Sequence, residues 1–167
     1  MNQEQLDCFW ATIRVLDGVG LLRHVMLIGS WVEYLYEDLF ESGYLHSIST
    51  KDIDFLYPNI HKPKKKINLV KAFIDEVFID DVDPVDGISR IYKENLIEIE
   101  FIAQVKGSGH QSTYTIDSIE FKTIGLREIN ILSDFPTTII KMDIRLPFQS
   151  QLFILSRRSW QIQLGNL

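Results

Sequence analysis

Apolar residues recur at helical spacing near the start of the chain. Leu6, Phe9, Trp10, Ile13 and Leu16 fall on one face, which predicts an amphipathic helix. Asp17-Gly18-Val19-Gly20 supplies its stop, because glycine tolerates the left-handed turn that ends a helix. The pattern then changes. Val25-Met26-Leu27-Ile28 is a short continuous apolar run that closes at Gly29-Ser30 and reads as a buried strand. Trp31, Leu35, Leu39 and Phe40 mark a second helix, from about Trp31 to Ser42, with Gly43 as its stop. Ile53-Asp54-Phe55-Leu56-Tyr57 is strand-like and ends at Pro58. Beyond a basic stretch, Ile67, Val70, Phe73, Ile74 and Val77 predict a third helix. Asp80 to Gly87 reads as an acidic turn region. Two strands follow, Ile88–Tyr92 and Leu96–Ala103, joined through Lys93-Glu94-Asn95 as a hairpin. Lys106-Gly107-Ser108-Gly109 reads as a flexible loop. The remainder predicts a strand at Ser112–Ile116, a mixed stretch to Leu132, and a strand at Thr138–Leu146 that Pro147 interrupts. Helix, strand, helix, strand, helix and then strands predict an α+β domain with a mixed sheet flanked by helices.

Composition narrows the class. A chain of 167 residues suits one domain and buries a core without staples. The lone Cys8 excludes an internal disulfide framework and a cysteine zinc site, and fits a reducing cytoplasm. A net charge of −6 argues against a dedicated duplex-DNA binder, while leaving room for a local basic patch. The polar, acidic start from Met1 to Asp7 is unlike a signal peptide, and no apolar run reaches membrane-spanning length. A cytoplasmic protein with no membrane partner is expected.

Three features carry chemistry. Gly29-Ser30 sits where a strand ends and a helix starts, where glycine lets a phosphate approach the backbone and Ser30 adds a hydroxyl. Lys51-Asp52-Ile53-Asp54 opens the next strand. Side chains alternate across a strand, so Asp52 and Asp54 point the same way and form a hard-oxygen site suited to Mg²⁺. Leu96-Ile97-Glu98-Ile99-Glu100-Phe101 repeats the device: Glu98 and Glu100 share one face, Ile97, Ile99 and Phe101 the other.

In order, these features resemble the nucleotidyltransferase superfamily, the polymerase-beta-like group. Its pattern is hG[GS], then D-x-D on the next strand, then a lone acid on a later strand. Here that reads Leu27-Ile28-Gly29-Ser30, Asp52-Ile53-Asp54, and Glu100 or Glu98, with 21 residues between Ser30 and Asp52 to hold one helix. Ser49 to Phe55 resembles the [ST]-x-D-[IL]-D stretch of minimal nucleotidyltransferases and of the toxin-like group of bacterial abortive-infection systems. The resemblance covers roughly residues 20–147. It implies Mg²⁺- or Mn²⁺-dependent transfer of a nucleoside monophosphate from a nucleoside triphosphate to a hydroxyl on tRNA, protein or a small molecule. Asp52, Asp54 and Glu100 would be catalytic metal ligands; Gly29, Ser30 and Lys51 would bind the nucleotide. Glu100 is preferred because the acid often precedes an aromatic in that family. An antitoxin-like partner is a further implication.

Plainer readings stand beside these. Ser30 suits a helix N-cap, Asp52 a turn before the strand, and Glu98 and Glu100 the solvent face of an amphipathic strand. Asp54 inside an apolar strand is harder to explain, since a buried unpaired carboxylate is costly. Lys62–Lys66 reads either as a contact for triphosphate or RNA, or as a solvated loop, the second being favoured. Asp81-x-Asp83 with Asp86-Gly87 fails as a calcium loop, because the twelfth position from Asp81 is Tyr92 rather than Glu. His24, His46, His61 and His110 show no ligand spacing. The family's usual helical continuation is short here. Residues 1–147 form the expected core and 148–167 a C-terminal extension with one helix-length segment, Phe148 to Trp160, carrying Arg157 and Arg158. That shortness keeps a second reading open, a non-catalytic module of the same fold that binds a nucleotide or a protein partner.

Overall fold

The computed structural model describes residues 2–36, 50–93, 95–107, 112–127 and 136–149. Helix α1 spans Gln3–Gly18. Asn2 opens it with a capping box, its Oδ1 accepting from the Gln5 N–H at 2.8 Å while its own N–H donates to Gln5 Oε1 at 3.1 Å. Gly20, at φ 72°, closes it. The Gly20 N–H donates to the Asp17 carbonyl and the Leu21 N–H to the Leu16 carbonyl, both at 2.8 Å, so the last carbonyls are satisfied. A single 3₁₀ turn, Leu22–His24, leads into β1 (Met26–Ile28). Helix α2 (Val32–Tyr36), β2 (Asp52–Tyr57) and α3 (Leu69–Ile74) follow. The remaining strands are β3 (Ile79–Val82), β4 (Ser89–Lys93), β5 (Ile97–Gln104), β6 (Ser112–Ile116), β7 (Phe121–Leu126), β8 (Pro136–Lys141) and β9 (Ile144–Gln149).

Among the described residues the nine strands make one mixed sheet in the order β3-β4-β5-β2-β1-β9-β8. Strand β5 is long enough to share its second edge. Its start pairs antiparallel with β4 and its end pairs parallel with β7, which carries β6. At the centre β1 is antiparallel to β2, and β2 is parallel to β5. This is an α+β protein. No described helix is long and apolar enough to cross a membrane.

The two faces of the central strands differ. Leu27, Ile53, Phe55, Tyr57, Ile99 and Phe101 are buried in the main core with Phe9, Ile13 and Leu16 of α1 and Phe73 of α3. Phe9 stacks on Trp31 with ring centroids 4.8 Å apart, which ties α1 to the turn after β1. The opposite face carries a small apolar cluster, Met26, Ile28 and Leu56 with Ile102 against it. Where that cluster ends, the carboxylates begin.

Several elements depart from the pattern-based expectation. Helix α3 ends at Ile74 rather than running to Val77. The Phe78 N–H turns back to the Phe73 carbonyl at 3.1 Å, and the two rings meet edge-on at 5.1 Å. That contact across the helix end stops the helix and throws Val77 into a left-handed conformation, φ 64°, with 77% of its surface exposed. The acidic segment read as a turn is half strand, because Ile79–Val82 pairs with Ser89–Tyr92. Only the stretch beyond it turns, with the Asp83 carboxylate accepting from the Val85 N–H at 2.8 Å and Asp86 from the Ile88 N–H at 2.9 Å. The mixed stretch contains β7. The single strand expected over Thr138–Leu146 is two, β8 and β9, hinged at Met142-Asp143, with Pro147 inside β9 opposite Thr138. Strand β9 carries the chain through Phe148 and Gln149, and the expected helical segment beyond lies outside the described residues. So do the second half of the second helix, His46, His110, and Ser108 and Gly109 of the expected loop.

Candidate active site

Strand β1 delivers Gly29 to the end of the sheet at φ 72°, a conformation that disfavours any side chain. Space disfavours one as well. A Cβ built on Gly29 would lie 3.3 Å from Asp54 Cγ and closer still to Asp54 Oδ2. The cause is the β1–β2 register. Ile28 pairs with Asp54, so the next residue of β1 passes directly beside the Asp54 carboxylate. Ser30 follows, and its Oγ is buried with no partner among the described residues. The simple N-cap role is therefore not the one that hydroxyl takes.

The acids meet through the β2–β5 pairing. Asp52 lies opposite Glu98 and Asp54 opposite Glu100. In parallel strands such partners project from the same face, so the two alternating pairs form one block of four carboxylates. Burial pushes the Asp54 carboxyl above its ordinary range, and repulsion from Asp52 adds to it. Burial likewise raises Glu100, with repulsion from Asp54, Glu98 and Asp52 adding and the Arg90 guanidinium opposing. Asp52 is exposed and has one local partner, the Thr50 hydroxyl, which donates to its Oδ2 at 3.0 Å while accepting from its backbone N–H. Among the described residues, Asp54 and Glu100 make no hydrogen bond or ion pair.

Lys51 is exposed at the mouth of this face. With Asp52 and Glu98 it lines a cleft of about 370 Å³ whose far wall is Asp81, Arg90 and Tyr92. Sequence reasoning missed Arg90 and Tyr92. Their signal was the alternation Arg90-Ile91-Tyr92, with Ile91 in the core and its neighbours on the acidic face. Tyr92 pairs with Glu98, so the aromatic ring starts beside the acids.

The residues on this face suit a divalent cation in donor type and in electrostatics. The donors are carboxylate oxygens, burial and mutual repulsion penalise the charged forms of Asp54 and Glu100, and an incoming positive charge relieves that repulsion. Among the described residues no group of three or more His, Cys, Asp or Glu side chains is already placed to hold a metal ion. Phosphate oxygens would complete a coordination shell that the carboxylates only begin. The basic run Lys62–Lys66 is not part of this site, because it follows the opposite end of β2. The chain matches no protein-family model, no curated protein and no solved structure.

Proposed function

We propose that the chain is a metal-dependent nucleotidyltransferase of the polymerase-beta-like kind, transferring a nucleoside monophosphate from a nucleoside triphosphate to a hydroxyl acceptor. One observation carries the reading. Asp52 and Asp54 stand in register with Glu98 and Glu100 on the adjacent parallel strand, and Gly29 lies in contact distance of Asp54. The strand order around them, with β1 antiparallel to the Asp strand and the second acidic strand beside it, supports the same fold assignment.

In this reading Asp52, Asp54 and Glu100 supply the oxygen ligands of Mg²⁺ or Mn²⁺. The cation neutralises phosphate charge and polarises the acceptor hydroxyl when bound. Gly29 leaves its backbone open to the triphosphate, and the unpartnered Ser30 hydroxyl donates to a phosphate oxygen. Lys51 adds a charge at the mouth of the cleft. The acceptor oxygen forms a bond to the α-phosphorus while the bond from that phosphorus to the bridging oxygen breaks. Pyrophosphate leaves, and the hydroxyl proton passes to a carboxylate of the acidic face. Catalysis here is positioning plus charge neutralisation. The lone Cys8, buried and outside any disulfide, suits a reducing compartment.

The test incubates the purified chain with each α-labelled nucleoside triphosphate, Mg²⁺ and a pool of tRNA and protein, beside Asp52→Ala/Asp54→Ala. Label carried to an acceptor by the wild type alone is the expected result and names nucleotide and acceptor class together. Nucleotide binding without transfer would replace the enzyme by a nucleotide-binding module of the same fold. Neither binding nor transfer would remove the function.

A further inference from the structure

A second charged feature lies at the other end of the β1–β2 pair. The chain leaves β2 at Tyr57, passes Pro58 and enters the basic run His61-Lys62-Pro63-Lys64-Lys65-Lys66. The ends of this run are tied down. Asn59 adopts a left-handed φ of 56° and its Nδ2 donates to the Tyr114 hydroxyl at 3.0 Å. The His61 carbonyl bonds to His24 Nδ1 at 2.9 Å. The Ile67 N–H donates to the Ser118 carbonyl at 2.9 Å, and Lys66 reaches Glu120 at 3.8 Å.

Held in this way, the run forms one wall of a cleft of about 770 Å³. The other wall comes from the end of α1 and the 3₁₀ turn. Arg23, His24, His61, Lys62, Lys64 and Lys65 all line it. Among the described residues Arg23, Lys62, Lys64 and Lys65 pair with no carboxylate. Arg23 brings a further positive charge to the cleft from the 3₁₀ turn on its other wall. In a chain of net charge −6, this is a local concentration of positive charge built from two separate segments.

We infer that this cleft binds the sugar–phosphate backbone of a single-stranded nucleic acid. Four cations unpaired among the described residues, from two segments of one cleft, match a run of phosphates along one strand. The volume lies within the range of about 300–1,000 Å³ that holds a drug-sized ligand, so about two nucleotides enter it. The His24 and His61 rings supply surfaces on which bases stack without sequence preference. Asp54 is four residues from Pro58, ~13 Å of strand. The acidic face at that end repels phosphates, so a bound strand is anchored on the basic side. The inference stands whether or not the acidic face is catalytic.

Fluorescence anisotropy with a labelled 12-nucleotide oligouridylate, at 25–200 mM KCl without divalent ions, tests it on the full chain. Binding is expected to weaken with salt with a log–log slope of about −1.4 to −2, the value for two or three phosphates neutralised on a single strand. Lys62→Glu/Lys64→Glu/Lys65→Glu should lose at least tenfold in affinity, and Arg23→Gln alone severalfold, with unchanged melting temperatures. Lys93→Glu, opposite Ile97 at the acidic end of the sheet, should match wild type. Asp52→Ala/Asp54→Ala should bind as well as wild type or better, which separates this cleft from the acidic face. Absence of binding at 25 mM KCl overturns the inference, as does equal loss in Lys93→Glu. Capture by phosphatidylserine vesicles in preference to the oligonucleotide also overturns it.

Discussion

Gly29 and Asp54 share one small volume: the carboxylate of the second residue fills the space that a side chain on the first would need. The arrangement follows from pairing Ile28 with Asp54, which brings the end of β1 past the centre of the acidic face. Backbone conformation and space then demand glycine independently. A fold that needed only a turn here would accept Asn at the same φ; one that keeps a half-buried carboxylate against the turn does not.

Gly29→Ala should therefore destabilise the chain by about 1–3 kcal/mol, the range for backbone strain of this kind, before any displacement of Asp54 is counted. Gly18→Ala is the matched control. Gly18 ends α1 with nothing within 4 Å of the position a Cβ would take, and alanine there should be neutral or gain up to about 1 kcal/mol from helix propensity. Urea unfolding of both variants checks the pair, and equal effects would count against the close approach.

The raised carboxyls give a signed pH dependence. Asp54 and Glu100 hold protons more tightly in the native chain than at their ordinary values of 3.8 and 4.5. Between those values and the raised ones the native state binds more protons than the unfolded state, so the stability they contribute falls as pH rises. Asp54→Asn and Glu100→Gln should each melt higher than wild type at pH 7, with the advantage shrinking toward pH 4. Thermal melts across that window measure it. A variant less stable than wild type at pH 7 would mean that the carboxylates are compensated in solution.

Much of the central sheet was legible because it is local pattern. Leu6 to Leu16 gives α1, Val25 to Ile28 gives β1, and the alternations Asp52-Ile53-Asp54 and Glu98-Ile99-Glu100 place each acid pair on one face of its strand. The adjacency of those strands was not legible, since parallel pairing joins segments distant in sequence and leaves no local mark. Strand β3 was hidden by composition. Asp80 and Asp81 look like turn residues, yet the strand forms at an edge of the sheet where exposed side chains are tolerated. The β8–β9 hairpin was hidden for the opposite reason. Its turn uses Met142 and Asp143 at φ 54° and 63° rather than the Asn-Gly pair that announces such a turn. The basic cleft depends on Arg23 and the lysine run lining one space, a juxtaposition that no spacing encodes.

Val77 offers a test of the helix end that the apolar pattern missed. A β-branched residue at φ 64° is strained, and with most of its surface in water it gains little from packing. Val77→Gly should stabilise the chain by about 1 kcal/mol through relief of left-handed strain. Phe78→Ala should instead destabilise it, since Phe78 is buried against Phe73. Chemical denaturation of the two variants should move in opposite directions.

Glu98 and Glu100 make different claims on a bound cation. Glu100 lies opposite Asp54, the residue beside Gly29, and burial with its neighbours' charge makes its ionised form costly. A cation there relieves the most repulsion. Glu98 lies opposite the exposed Asp52, on the cleft lining shared with Lys51 and Arg90 and one same-face strand position further from Gly29. Mn²⁺ at ten times its dissociation constant should stabilise the wild type by about 1.4 kcal/mol, a rise of about 3–5 °C for a chain of this size. Asp54→Ala and Glu100→Gln should abolish that rise, and Glu98→Gln should retain most of it. The reverse result for the two glutamates would move the third ligand to Glu98. A wild type whose melting temperature ignores Mn²⁺ and Mg²⁺ alone, yet rises when a nucleoside triphosphate is added with them, would make the phosphates obligatory ligands, as two carboxylates plus substrate oxygens require.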